Sequence, residues 1–371
     1  NDWNGEPVSA SHYFLTDLLR DTYGFDGYVV SDSDAVEFVH TKHQVADTYD
    51  DAVRQVLEAG LNVRTNFSQP SIFVDAVRRL LAEGKLSEET LDKRVREVLT
   101  VKFRLGLFDN PFLGDGKKAD SEAGLEKHTD FVKQMGRESV VLLKNENNIL
   151  PLDKKSLSKV LVTGPLADED NFMTSRYGPN GIPTVTMLQG IRNYLASSGV
   201  TVDYEKGCEV KDARWPLSEI IPEPMSEEEE EGIRKAVAKA ADADVIIAVM
   251  GEDKDATGES RSRTSLDLPG RQRELLQALN KSGKPVILVL VNGQPLTVNW
   301  ENAYLPAILE MWFPNCEGGN TLSEILFGDV NPSGKLTVTF PKAVGQIETN
   351  FPYKKGSEGV QGRIGDANGW G

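Results

Sequence analysis

With 371 residues, 39% hydrophobic and 26% charged, the chain reads as globular, with apolar content for about two or three domains. A formal net charge of −16 and a pI near 4.9 argue against nucleic acid or an anionic membrane surface as its partner and leave neutral ligands open. No run reaches the roughly 18 apolar residues of a membrane span, and no secretory leader opens the chain. Cys208 and Cys316 show no metal-ligand spacing, so buried, unreactive thiols are expected, with no metal and no cofactor.

The opening NDWNGEPVSA lacks an initiator Met and leads, as a turn, into an apolar-periodic helix over Tyr13–Leu19, as in the middle of a longer protein. The stretch GFDGYVVSDSDAV, Gly24–Val36, then organises the first third of the chain. Its β-rich run, Gly27–Val30, stops at Ser31 and Asp32, which reads as a buried strand delivering a carboxylate to the rim of a parallel sheet, where α/β folds place their chemistry. Asp32 is the first candidate for a reacting group. The competing reading is that Asp32 or Asp34 only caps the helix that follows, Asp being a favoured N-cap.

A helix over Tyr49–Ala59, a short strand Leu61–Arg64 and helices Ile72–Ala82 and Glu88–Phe103 continue a βαβα order, the last helix entered through the capping residues Ser87–Thr90. A complete (β/α)8 barrel takes about 250 residues, so residues 1–105 hold only part of one. His40 and His43 lack the HExxH pattern and are read as structural or solvent-facing. Residues 106–127, rich in Gly, Asp and Lys, read as an interdomain linker.

A second α/β pattern fills residues 128–343. Strands are expected at Lys159–Thr163, Val200–Tyr204, Val245–Met250, Val286–Val291 and Ala307–Met311, their Val, Ile and Leu runs suiting strands buried on both faces. Helices are expected at Thr184–Leu195, Glu227–Ala241, Gln272–Asn280 and Glu317–Phe327, the acidic run Glu227–Glu231 favouring the positive end of its helix. VLVTGP and VIIAVMGEDKDATGE each place Gly after a strand, but neither carries a dinucleotide or P-loop fingerprint. The tail, residues 344–371, is irregular.

The polar loop Gly251–Gly270, GEDKDATGESRSRTSLDLPG, leaves the carboxyl end of a buried strand and carries Glu252 and Glu259. Ligands bind at this edge of an α/β sheet. The flanking Arg261 and Arg263 are expected to hold Glu259 ionised, and Glu252 is the weaker candidate. An ordinary solvated loop remains the alternative.

GFDGYVVSDSDAV, AVRQVLEAGLNV, SVVLLKNENNILPL, GESRSRTSLDLPGRQ, PVILVLVNGQPL and ILFGDVNPSGKLTVTFP together resemble glycoside hydrolase family 3, from Asn1 to about Pro352. The resemblance implies the C-terminal part of a (β/α)8-like barrel followed by an α/β sandwich domain, with the missing barrel half and a fibronectin-like domain outside the chain. It places the family's nucleophile on Asp32 and its acid/base on Glu259, as in a retaining exo-acting β-glycosidase. It implies β-glucosidase first, with β-xylosidase as the close alternative, since Ser33 stands where many glucosidases of the family carry an aromatic. Tyr177, in the loop Asn171–Gly181, falls where members place an aromatic platform for the leaving sugar, although a packed core aromatic fits as well. The expected partners are a small-molecule or oligosaccharide substrate and the missing barrel half, and the expected location is periplasmic or extracellular. A noncatalytic carbohydrate-binding remnant is the reading from a different class.

Overall fold

The computed structural model describes residues 2–112, 114, 116–122, 126–170, 177–178 and 181–346. The tail beyond Gln346 and most of the loop Asn171–Gly181 lie outside the described residues. The chain divides into two compact units, Asn1–Asp120 and Ser121–Gly371.

In the first unit a small hairpin, β1 (Asp2–Trp3) with β2 (Glu6–Pro7), precedes a π-type helix over Tyr13–Thr22, where a standard helix was expected. β3 (Val30–Ser33), α1 (Ala35–Thr41), α2 (Tyr49–Ala59), β4 (Val63–Thr65), α3 (Pro70–Ala82) and α4 (Glu88–Arg104) follow, and β3 pairs with β4 in parallel. Thr48 caps α2 by accepting from Asp51 N–H, and Ser87 caps α4 by accepting from Thr90 N–H. The apolar face of α2 (Val53, Val56, Leu57) packs with Val36, Val39, Ala76 and Leu80 into one core.

One expectation for this unit fails. The strand starts at Val30 and runs through Ser31 and Asp32 to Ser33, and Val30 is 50% exposed, so the expected buried strand ending at Ser31 is not what forms. Backbone pairing to β4 carries the extended conformation past the apolar run, into residues of low strand propensity.

The second unit starts with α5 (Lys117–Glu122, beginning in the first unit) and α6 (Glu126–Ser139), neither anticipated in the polar sequence. β5 (Val141–Asn145), β6 (Lys159–Thr163), α7 (Met187–Leu195), β7 (Thr201–Glu205), α8 (Glu227–Ala240), β8 (Val245–Gly251), α9 (Gln272–Asn280), β9 (Val286–Val291), α10 (Asn299–Tyr304), β10 (Ala307–Glu310) and α11 (Gly318–Leu326) complete it. The six strands lie in the order β5-β10-β9-β8-β6-β7, all parallel except the edge strand β5, which runs antiparallel to β10.

The two-residue period of a strand explains the sandwich. Along β8, Val245, Ile247 and Val249 point to a core shared with Met187, Ile191 and Leu322, whereas Ile246, Ala248 and Met250 point to one shared with Ile233, Leu275 and Leu276. Helices α7 and α11 therefore cover one face and α8 and α9 the other. Ser226 and Glu229 form a capping box at the start of α8, accounting for its acidic first turn. Cys208 and Cys316 are both free; Cys208 packs against the core, Cys316 is partly buried, and burial raises both above the usual thiol pKa.

Candidate active site

Asp32 sits on β3, where the parallel register to β4 shifts between the pairs Val30 with Val63 and Ser33 with Thr65. The buried Ser31 hydroxyl bridges the shift, accepting from Thr65 N–H at 2.9 Å and donating to the Asp32 carbonyl at 2.8 Å. The Asp32 side chain is exposed, and its Oδ1 accepts from Ser33 N–H at 2.7 Å. Ser33 thus meets Asp32 through its backbone.

Asp34 occupies the N-cap position of α1, but its side chain bonds no helix N–H. It adopts a left-handed φ of 60° and accepts instead from Asn66 Nδ2. The capping reading is thereby corrected for both residues: neither carboxylate satisfies the helix end, and Asp32 remains directed by its own strand. Glu37 on α1 accepts from Arg64 Nε at 2.7 Å and from the Tyr49 hydroxyl at 3.1 Å, fastening α1 to β4 behind the loop. His40 Nδ1 lies 2.8 Å from the Ala46 carbonyl and His43 lies 3.8 Å from Asp2, contacts of a structural kind.

In the second unit the chain leaves β6, runs through α7 to β7 on one side, then crosses to β8 on the other. The carboxyl ends of β6 and β8 therefore flank the switch point where doubly wound sheets bind ligands. The loop after β6 carries Tyr177 and the loop after β8 carries Glu259, and the Tyr177 hydroxyl donates to Glu259 Oε2 at 2.8 Å. Tyr177 is 69% exposed, so it is not a packed core aromatic. Both loops depart through glycines at positive φ, Gly164 (109°) and Gly251 (142°), where any Cβ would overlap the carbonyl of Val249 or Val291.

Glu252, at the root of the second loop, is fully buried. Its Oε1 accepts from Arg263 Nη1 and from Gln294 Nε2, the latter at 2.7 Å. Burial raises its pKa, with the Arg263 charge opposing that rise. Arg263 also donates to Glu219 Oε1 from Nε (3.2 Å) and Nη2 (2.9 Å) and to the Asp267 carbonyl at 3.0 Å. The Arg263 fork is therefore spent on Glu252 and Glu219, and its hydrogen bonds do not go to Glu259. The simple solvated-loop reading is corrected, because the loop is exposed at Glu259 but buried at its root.

Glu310 ends β10 fully buried, accepting from Trp312 N–H at 2.7 Å and Asn292 Nδ2 at 3.2 Å. Burial pushes its pKa up to about 8, so it carries its proton at neutral pH. Glu219, Trp215 and Glu310 were not singled out from the sequence. A lone Glu closing the apolar run Ala307–Leu309 was the available signal for Glu310. Among the described residues no group of three or more His, Cys, Asp or Glu is placed to hold a metal ion.

An exposed carboxylate on a strand end and another on a switch-point loop, hydrogen bonded to a tyrosine, are groups that can attack carbon or transfer a proton. Residues 1–101 match the "Glycosyl hydrolase family 3 N terminal domain" and residues 140–365 the "Glycosyl hydrolase family 3 C-terminal domain". The chain belongs to glycoside hydrolase family 3. It is 37% identical over 366 residues to a periplasmic β-glucosidase of Salmonella typhimurium, covering 95% of this chain and 47% of that protein. It is 33% identical over 363 residues to a β-xylosidase of Formosa agariphila, covering 94% and 47%. The crystal structure of a β-glucosidase from Listeria innocua in complex with glucose superposes with a TM-score of 0.80 at 30% identity, covering 96% of this chain and 47% of that one. The chain thus spans about half the length of the curated relatives it matches, and its α/β fold is that of this glycoside hydrolase family. Among the described residues no helix is long and apolar enough to cross a membrane.

Proposed function

We propose that this chain carries the reacting carboxyl groups of a retaining, exo-acting β-glycosidase, foremost a β-glucosidase that releases glucose from the non-reducing end of β-glucosides or oligosaccharides. Asp32 attacks the anomeric carbon as the bond to the leaving oxygen breaks, and Glu259 gives that oxygen its proton. Glu259, now a carboxylate, takes a proton from water, whose oxygen displaces Asp32 from the anomeric carbon. The observation carrying the reading is the bond from Tyr177 to Glu259 at the switch point, which combines a proton-transfer group with an exposed aromatic suited to a pyranose face.

Residues 1–105 then serve as the C-terminal portion of the barrel, 106–127 as a linker and 128–343 as the domain bearing the acid/base loop. By the family resemblance, the groups that grip the glycone sugar stand on barrel strands other than those of residues 1–105, and turnover is read as needing those strands too. A periplasmic or extracellular location fits the Salmonella relative. β-Xylosidase is the second reading, favoured by Ser33 after the nucleophile and by the Formosa relative.

The test is trapping of the gene product carrying this chain with a 2-fluoro glucoside and a 2-fluoro xyloside. The label is expected on Asp32, with the faster-trapping sugar naming the substrate. A label on another residue, or unchanged turnover in Asp32→Asn, overturns the assignment.

A further inference from the structure

Glu259 lies between two residues that are joined to each other. Glu252 and Arg263, 11 positions apart, pair by hydrogen bond and charge, closing the segment that carries Glu259 into a ring. Arg263 is 4% exposed in its side chain, Glu252 0% and Glu219 9%, so this is a desolvated cluster. The guanidinium also lies over the Trp215 ring at 5.6 Å, and Trp215 Nε1–H donates to Glu219 at 3.0 Å. Thr264, next to Arg263, donates to the other Glu219 oxygen at 2.7 Å. Glu219 and Trp215 belong to the segment following β7, so a second loop of the same sheet edge is fastened to the first.

We propose that Arg263 and Glu252 are positioning residues for proton transfer, fixing the Glu259 loop on the end of β8 and on the β7 loop; this rests on the acid/base reading of Glu259. A proton donor must stand within hydrogen-bond reach of the leaving oxygen, yet Glu259 is on an exposed loop tip, where the chain by itself samples many positions. A planar fork with all three nitrogens engaged restricts that sampling in a way that a point charge does not.

The discriminating readout is dependence on the leaving group. A substrate with an activated leaving group, 2,4-dinitrophenyl β-glucoside, departs without acid help, whereas cellobiose needs it. In the gene product carrying this chain, Arg263→Lys is expected to lower kcat/KM on cellobiose at least about tenfold more than on the dinitrophenyl glucoside, a fraction of the full acid contribution. Azide is expected to restore turnover of the dinitrophenyl substrate. Glu252→Gln, which leaves the arginine in place, is expected to show the same asymmetry and serves if the lysine variant fails to fold.

An equal loss on both substrates, or none, in a folded variant overturns the positioning role. Glu259→Ala is the reference: if it lacks the asymmetry and the azide response, the acid/base reading itself falls and this inference with it. If Glu259→Ala shows both and the Arg263 and Glu252 variants show neither, only the inference falls.

Discussion

The Tyr177 hydroxyl donates to Glu259 Oε2 at 2.8 Å, joining the loops that leave β6 and β8. Tyr177→Phe removes that donor and keeps the ring. On the proposed function, kcat/KM on oligosaccharides should fall about fivefold, the scale of one partly exposed hydrogen bond to a charged group. Thermal unfolding should be unchanged because Tyr177 is exposed. Steady-state kinetics and calorimetry check both.

Glu310 gives a stability prediction with a definite sign. Its folded pKa is raised to about 8, against about 4.3 in an unfolded chain. Between those values the folded state binds more protons than the unfolded state, so its stability falls as pH rises and levels off above about 8. Glu310→Gln removes the titration. Its melting temperature should approach or exceed that of the parent at pH 8 and drop less steeply from pH 5 to pH 8. Thermal melts across that range test it.

Asp34 tests how the loop after Asp32 is held. Its left-handed φ of 60° favours Asn, Asp or Gly, and its carboxylate accepts from Asn66. Asp34→Asn should therefore be tolerated in fold and activity, whereas Asp34→Ala should destabilise by about 1–2 kcal/mol through backbone strain and the lost bond. Asp34→Gly should fall between them. Denaturant melts order the three.

Asn62 is the polar centre of the first unit. Its Oδ1 accepts from Val29 N–H and Arg20, both at 2.9 Å, and its Nδ2 donates to the Arg94 carbonyl at 2.9 Å and to Glu97 at 2.6 Å. Asn62→Ala strands several partly buried groups at once and should cost about 3 kcal/mol. The loss should appear in the unfolding transition of this unit and leave that of the second unit in place.

Where one apolar pattern dominates, sequence and structure agree closely. β9 and α9 have the bounds expected from their Val, Ile and Leu runs and their helical period, and so do α2 and β6. β5 escaped notice because it is an edge strand, with only Val141 fully buried and Lys144 and Asn145 in its length. α6 was hidden by its polar composition. At the candidate site, strand ends and loop composition could place Asp32 and Glu259 on sheet-edge segments, while Tyr177 came only from the family resemblance. The Arg263 fork could not: its neighbours in sequence pointed to Glu259, and only the approach of the β7 loop supplies Glu219 as its partner.

The segment bearing Glu259 begins at Gly251 and ends at Gly270, and both glycines have positive φ, 142° and 62°. A stretch that enters and leaves through such fixed joints is a natural cassette. Its tip can be exchanged for one of another length or composition, provided the two glycines and the internal Glu252 and Arg263 tie travel with it. On the proposed function, exchanging that tip should alter leaving-group preference while the ties of Arg263 and Thr264 to Glu219 keep the piece on the sheet beneath.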